Sequence, residues 1–190
     1  MLFRSIELLK QHMEVVEVDG GQDYRQLGLM EVEHYWCPLG PQAQAGLAAT
    51  FDRLAEAQDE DPVLRIEARE FPAIRRAGGV VWFDFKALCG TARSQNDYLE
   101  IATRFHTVLL SDVPQMSAAM ASEARRFTWL VDVLYDRRVQ LILSAQVPAE
   151  ALYLHGPLSH EFPRTVSRLN EMGTVEFARL ERRTVDTSLT

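Results

Sequence analysis

The chain has 190 residues, 47% hydrophobic and 25% charged, which is enough apolar surface for a full core and excludes a wholly disordered chain. A net charge of −7 weighs against nucleic acid or anionic membranes as partners. Apolar runs such as Val108–Leu110 and Leu141–Leu143 are too short to span a bilayer, and no apolar leader core follows Met1, so a cytoplasmic protein is expected.

In chain order, Leu2, Ile6, Leu9 and Met13 fall on one face of a helix, with Lys10 and His12 near its C-terminal end. Val15–Val18 reads as a short strand, ended by Asp19-Gly20-Gly21. Val32–Cys37 suggests a second strand, closed by Pro38, and 42–57 a helix with Leu47, Phe51 and Leu54 inward. The acidic stretch Gln58–Pro62 reads as a solvated loop. Residues 63–76 alternate apolar and polar, with a hairpin turn expected at Arg69-Glu70 and a returning strand over Phe71–Arg76. Gly78-Gly79 marks the next turn.

From residue 80 the pattern changes. Val80–Phe85, Thr107–Asp112 and Val139–Ser144 are strands that are apolar almost throughout. Between them, Tyr98, Ile101, Ala102 and Phe105 mark one amphipathic helix, and Phe127, Leu130, Val131 and Leu134 a second. This is the grammar of βαβ units in a parallel sheet covered on both faces. A further helix is expected around Phe162, Val166 and Leu169, and a final strand at Val175–Phe177.

The expected fold class is therefore α/β. It comprises a parallel-sheet βαβ body over about 80–178, an N-terminal helix and a small antiparallel β-rich insert. The composition shifts divide the chain into 1–27, 28–79 and 80–190.

Ligands of open parallel sheets bind beyond the carboxyl ends of the strands. Asp112 and Ser144 close two of them, an acid beside a hydroxyl, as in the Mg²⁺-side acid and the sensor of P-loop nucleotide hydrolases. No Gly-x4-Gly-Lys-Ser/Thr loop occurs, and the two lysines, Lys10 and Lys86, follow no glycine-rich loop. A loop-capping Asp112 and a Ser144 in a β-α turn are the structural alternative.

No catalytic residue is assigned. Ser94 or Cys89 with His106 lacks a nucleophile elbow. No metal site is assigned either: His155 and His160 flank Gly156-Pro157 without ligands at zinc spacing, and Cys37 and Cys89 read as reduced thiols. Arg164 and Arg168 lie one turn apart on a helical face, suited to a phosphate, a carboxylate or a neighbouring subunit. Ion pairing with Glu161 or Glu171 is the other reading of that pair.

Several segments taken in order carry a family resemblance: Val18–Arg25, Ser94–Leu99, Phe105–Pro114, Arg125–Phe127 through Val139–Pro148, and Arg164–Met172. They resemble the C-terminal part of the ZapE family, AAA+-type P-loop ATPases of the bacterial cytoplasm with mitochondrial relatives. The chain departs from the family at Pro163, where an arginine is usual, and at Gly173, where a glutamine is usual.

The resemblance implies ATP and Mg²⁺ for the full-length family, with ATP hydrolysis coupled to remodelling of a partner, the FtsZ division ring. It places the Walker A/B module N-terminal to the matching segment, so this chain is expected to be a fragment, inactive alone. It makes Leu2–Met13 part of a lid-like helix, robbed of part of its partner and open to self-association, and Arg25 a second-sensor arginine. The alternative is a non-catalytic interaction domain that binds a protein without nucleotide.

Overall fold

The computed structural model describes residues 33–55, 57–66 and 69–183. The expected lid-like helix 2–13, the strand 15–18 and Arg25 lie outside them.

A five-stranded sheet carries the fold, in the order β1-β7-β6-β5-β4. Its strands are β1 (Tyr35–Trp36), β4 (Arg75–Ala77), β5 (Val80–Asp84), β6 (Thr107–Val113) and β7 (Gln140–Ala145). The pairs β1–β7, β7–β6 and β6–β5 are parallel, and β4 returns antiparallel to β5 across the Gly78-Gly79 turn. The remaining two strands, β2 (Val63–Ile66) and β3 (Arg69–Pro72), form a separate antiparallel hairpin, the expected insert.

Alternation along the parallel strands divides the core into two layers. Val80, Trp82, Leu109 and Ile142 point to one face, where helix α1 (Pro41–Leu54) lays Leu47, Phe51 and Leu54 on them. Val81, Phe83, Val108, Leu110, Leu141 and Leu143 point to the other. Helices α2 (Gln95–Arg104), α3 (Ala121–Arg137) and α4 (Phe162–Met172) cover that second face. Phe127, Leu130, Val131 and Leu134 of α3 are completely buried there, as their spacing predicts.

The helix ends follow local chemistry. Pro41 starts α1 with a φ already suited to the first turn. Ser94 and Asp97 form a reciprocal capping box on α2. Arg138 closes α3 in the left-handed region, at φ 56°.

Two expectations need correction. The hairpin register sets Ile66 opposite Arg69 and Arg65 opposite Glu70, so Arg69-Glu70 belong to a strand and not to the turn. The returning segment also does not run unbroken to Arg76. It leaves the hairpin after Pro72, and Arg75–Ala77 joins the main sheet instead. The second correction is Val175–Phe177, which begins the short helix α5 (Val175–Ala178) and not a strand. Thr174 caps it by accepting the Phe177 N–H at 3.2 Å, and the Phe177 ring stacks on Tyr135 with centroids 5.5 Å apart.

Candidate functional site

The parallel strands all deliver their carboxyl ends to one edge of the sheet. The chain steps from β5 to β6 to β7 through α2 and α3 on one face, while the helix that follows β1 lies on the opposite face. The direction of winding therefore reverses between β1 and β7, which is where open α/β sheets form a ligand crevice.

At that edge β6 carries a bulge. Leu110 pairs with Leu143 and Val113 with Ala145, so Ser111 and Asp112 together oppose Ser144. Asp112 absorbs the extra residue in the left-handed region, at φ 62°, which aspartate tolerates better than most side chains. Its N–H donates to the Ser144 hydroxyl at 3.1 Å. The two sequence-predicted residues are thus brought together, but through the backbone of one and the side chain of the other. Ser144 is buried, while Asp112 is exposed.

The loops beyond are laced to each other. Gln146 N–H donates to the Val113 carbonyl at 2.9 Å, and Gln115 N–H donates to the Gln146 side-chain oxygen at 3.0 Å. The Gln115 amide reaches the Ala151 carbonyl at 3.1 Å, and Met116 N–H reaches Leu152 at 2.7 Å. On the β1 side, the Tyr35 hydroxyl donates to the Val147 carbonyl at 2.7 Å. Burial, reinforced by Cys37 and Glu150, pushes that phenol well above its ordinary range, so it stays neutral.

Arg164 and Arg168 sit one turn apart on α4 and part company. Arg168 lies against α3, paired with Asp132 at 2.5 Å and Asp136 at 3.3 Å, its guanidinium 4.6 Å from the Tyr135 ring centroid. Its side chain is only 13% exposed, so it is committed to holding two helices together. Arg164 is exposed. Glu161 pairs with Arg125, at 2.7 Å, and Glu171 accepts from the Tyr135 hydroxyl at 2.8 Å.

One further strand-end acid was not singled out from the sequence. Asp84 closes β5 in register with Ser111, and its carboxylate accepts the Lys86 N–H at 2.7 Å. Its position at the end of the apolar run Val80–Phe83 was the available signal.

A nucleoside triphosphate with Mg²⁺ would need converging backbone N–H groups and a lysine between the first strand and its helix. That stretch here is Cys37-Pro38-Leu39-Gly40-Pro41, in which both prolines lack an N–H. Lys86 is the single lysine among the described residues, and it follows β5. The Trp36 ring occupies the space above Gly46 of α1, where a Cβ would come within 2.5 Å of it. Among the described residues, no group of three or more His, Cys, Asp or Glu could hold a metal ion. Among the described residues, the 37–41 stretch does not fit the triphosphate.

A sequence model of the family described as AFG1-like ATPase matches residues 1–181. Cell division protein ZapE of Escherichia coli (strain K12) is 39% identical over 178 residues, 93% of this chain and 48% of that protein. Lactation elevated protein 1 homolog B of Danio rerio is 32% identical over 177 residues, 91% of this chain and 35% of that protein. The chain thus spans about half the length of the bacterial relative and about a third of the zebrafish one. No solved structure matches it significantly. No helix among the described residues is long and apolar enough to cross a membrane.

Proposed function

The chain belongs to the AFG1-like ATPase family, and on that premise we propose that it is the C-terminal part of a ZapE-like ATPase of the cytoplasm. In the complete protein, ATP binding and hydrolysis with Mg²⁺ drive remodelling of a partner, the FtsZ division ring. The observation that carries this reading is the 39% identity to a cell division protein over 93% of the chain.

Since the described residues between β1 and its helix form no triphosphate seat, the part of this body in such a cycle is mechanical. Arg69 joins the insert to α2, and Arg168 joins α4 to α3. A body tied in this way moves as one piece when a neighbouring module moves it, the behaviour expected of a rigid-body switch.

A chimera tests the reading. This chain replaces the matching half of the Escherichia coli relative, and FtsZ polymers are sedimented with and without ATP. ATP-dependent loss of polymer is expected. A chimera that folds and hydrolyses ATP yet leaves FtsZ polymer unchanged defeats the assignment of the partner.

The second reading is a non-catalytic interaction domain, and Pro38 and Pro41 favour it by removing N–H groups where phosphate would sit. Partner binding by the unfused chain, equal with and without ATP, is its signature.

A further inference from the structure

We propose that this α/β body is laid out as a nucleotide-hydrolase core whose phosphate seat has been rebuilt as internal joints between its own strands and helix, so that this half adds no nucleotide site of its own. The inference rests on the family reading only for its consequence, which is one nucleotide per complete chain and not two.

The layout is carried by strand order. β7, with the hydroxyl one residue before its end, lies between β1, which leads into a helix, and β6, with the acid one residue before its end. In P-loop hydrolases, the strand leading into the first helix ends in the phosphate loop, an acid closes another strand, and a sensor hydroxyl closes the strand between them. The corresponding three positions here are the 37–41 loop, Asp112 and Ser144.

The loop and the hydroxyl have been put to another use, and at the acid position the backbone is tied into the fold. At the first, the loop begins and ends in backbone that cannot cradle an anion, because Pro38 and Pro41 have no N–H to offer. Behind it, Trp36 and Gly46 interlock β1 with α1, the contact a bare Cα allows and a Cβ at 2.5 Å would forbid. At the sensor position, the buried Ser144 oxygen accepts from Asp112 N–H, so it acts as a clasp on the β6 bulge. At the acid position, the left-handed backbone of Asp112 is held by that clasp.

Equilibrium dialysis of the full chain against Mg²⁺-ATP, up to millimolar concentration, reads the first part directly. No saturable binding is expected. Saturable binding overturns the proposal, and a tenfold or greater loss of it in Asp112→Asn would locate the site at the sheet edge.

Thermal unfolding of Ser144→Ala, with and without Mg²⁺-ATP, reads the second part. A lowered midpoint, lowered equally in both conditions, is the expected result for a clasp. A midpoint that responds to nucleotide in the wild type and not in Ser144→Ala identifies a working sensor and overturns the proposal, as does a variant whose midpoint is unchanged. Failure here leaves the division-ring reading standing, because the chimera carries its own nucleotide module.

Discussion

Arg69 of the insert and Asp97 of helix α2 meet at 2.7 Å, with the carboxylate 1% exposed and the guanidinium 40% exposed. Asp97 is also the N3 residue of its own capping box, accepting the Ser94 N–H at 2.7 Å and the Ser94 hydroxyl at 3.0 Å. One side chain therefore starts a helix and anchors a hairpin. Arg93 completes the anchor from the position before Ser94, its guanidinium 3.7 Å from the Phe71 ring centroid and bonded to the carbonyls of Ala87 and Glu70. Arg69→Met is expected to cost about 1–2 kcal/mol, the value of a charged hydrogen bond discounted for the exposed partner. Urea unfolding of the single variants and of the pair with Asp97→Asn measures it. A coupling of zero between the two positions refutes the anchor.

Leu130 lies in the middle of α3, fully buried against the sheet. Leu130→Ala is expected to destabilise the fold by about 2–5 kcal/mol, the range for truncating a core leucine. An unchanged urea midpoint would mean that α3 does not pack on β6 and β7.

Gly46→Ala tests the α1 joint. The added methyl meets the Trp36 ring at 2.5 Å, so either the ring or the helix must shift. Overpacking of this kind costs about 1–3 kcal/mol. Trp36→Leu in the same chain is expected to recover part of the loss, and a double variant no more stable than Gly46→Ala alone would show that the ring is not the obstacle.

Asp59 has its carboxyl held below its ordinary value of 3.8, first by the hydrogen bond from Arg75 and then by that residue's charge. The bonds measure 2.8 Å and 3.0 Å. A carboxyl depressed in the folded state contributes stability above the unfolded value and loses it as pH falls through the folded one, so the effect is confined to the acid side of about pH 4. Both groups face water, and salt weakens the pair. A carbon-13 titration of Asp59 in the wild type and in Arg75→Met checks this. The midpoint is expected to rise in the variant, and identical midpoints would dismiss the Arg75 effect.

Cys89 is fully buried and its thiol is pushed far up by that burial, whereas Cys37 is exposed. The thiolate is the reactive form. A disulfide reagent is expected to modify one thiol in the native protein and the second only on unfolding. Rapid modification of both under native conditions would place Cys89 at the surface.

The parallel body was legible because its strands are buried on both faces and its helices on one, which writes unbroken apolar runs against a period of 3.6. The hairpin was harder to read. Alternation shows which face a residue takes, not where the chain turns back, and the polar pair Arg69-Glu70 resembles a turn until Asp97 is seen to hold the first of them. Val175-Glu176-Phe177 alternates like a strand, but the Thr174 cap and the Tyr135 ring decide it as a helix.

At the sheet edge, Asp112 and Ser144 could be found from strand ends alone. That they are joined through a bulge could not, since pairing offsets leave no mark in one strand's own sequence. The fate of Arg168 was equally hidden. Its partners Asp132 and Asp136 lie far away in the chain, and only the packing of α4 on α3 brings them near.

Among the described residues the sheet ends in very short strands, two residues long at β1 and three at β4, the latter with two arginines. A long bare rim is a template on which another chain can add a strand, and rims this brief offer almost nothing to copy. Stress that strips a helix from either face would expose the apolar strands before it exposed a usable rim. Clumping of the stressed protein should therefore begin with loss of helix cover and not with strand addition to the native fold.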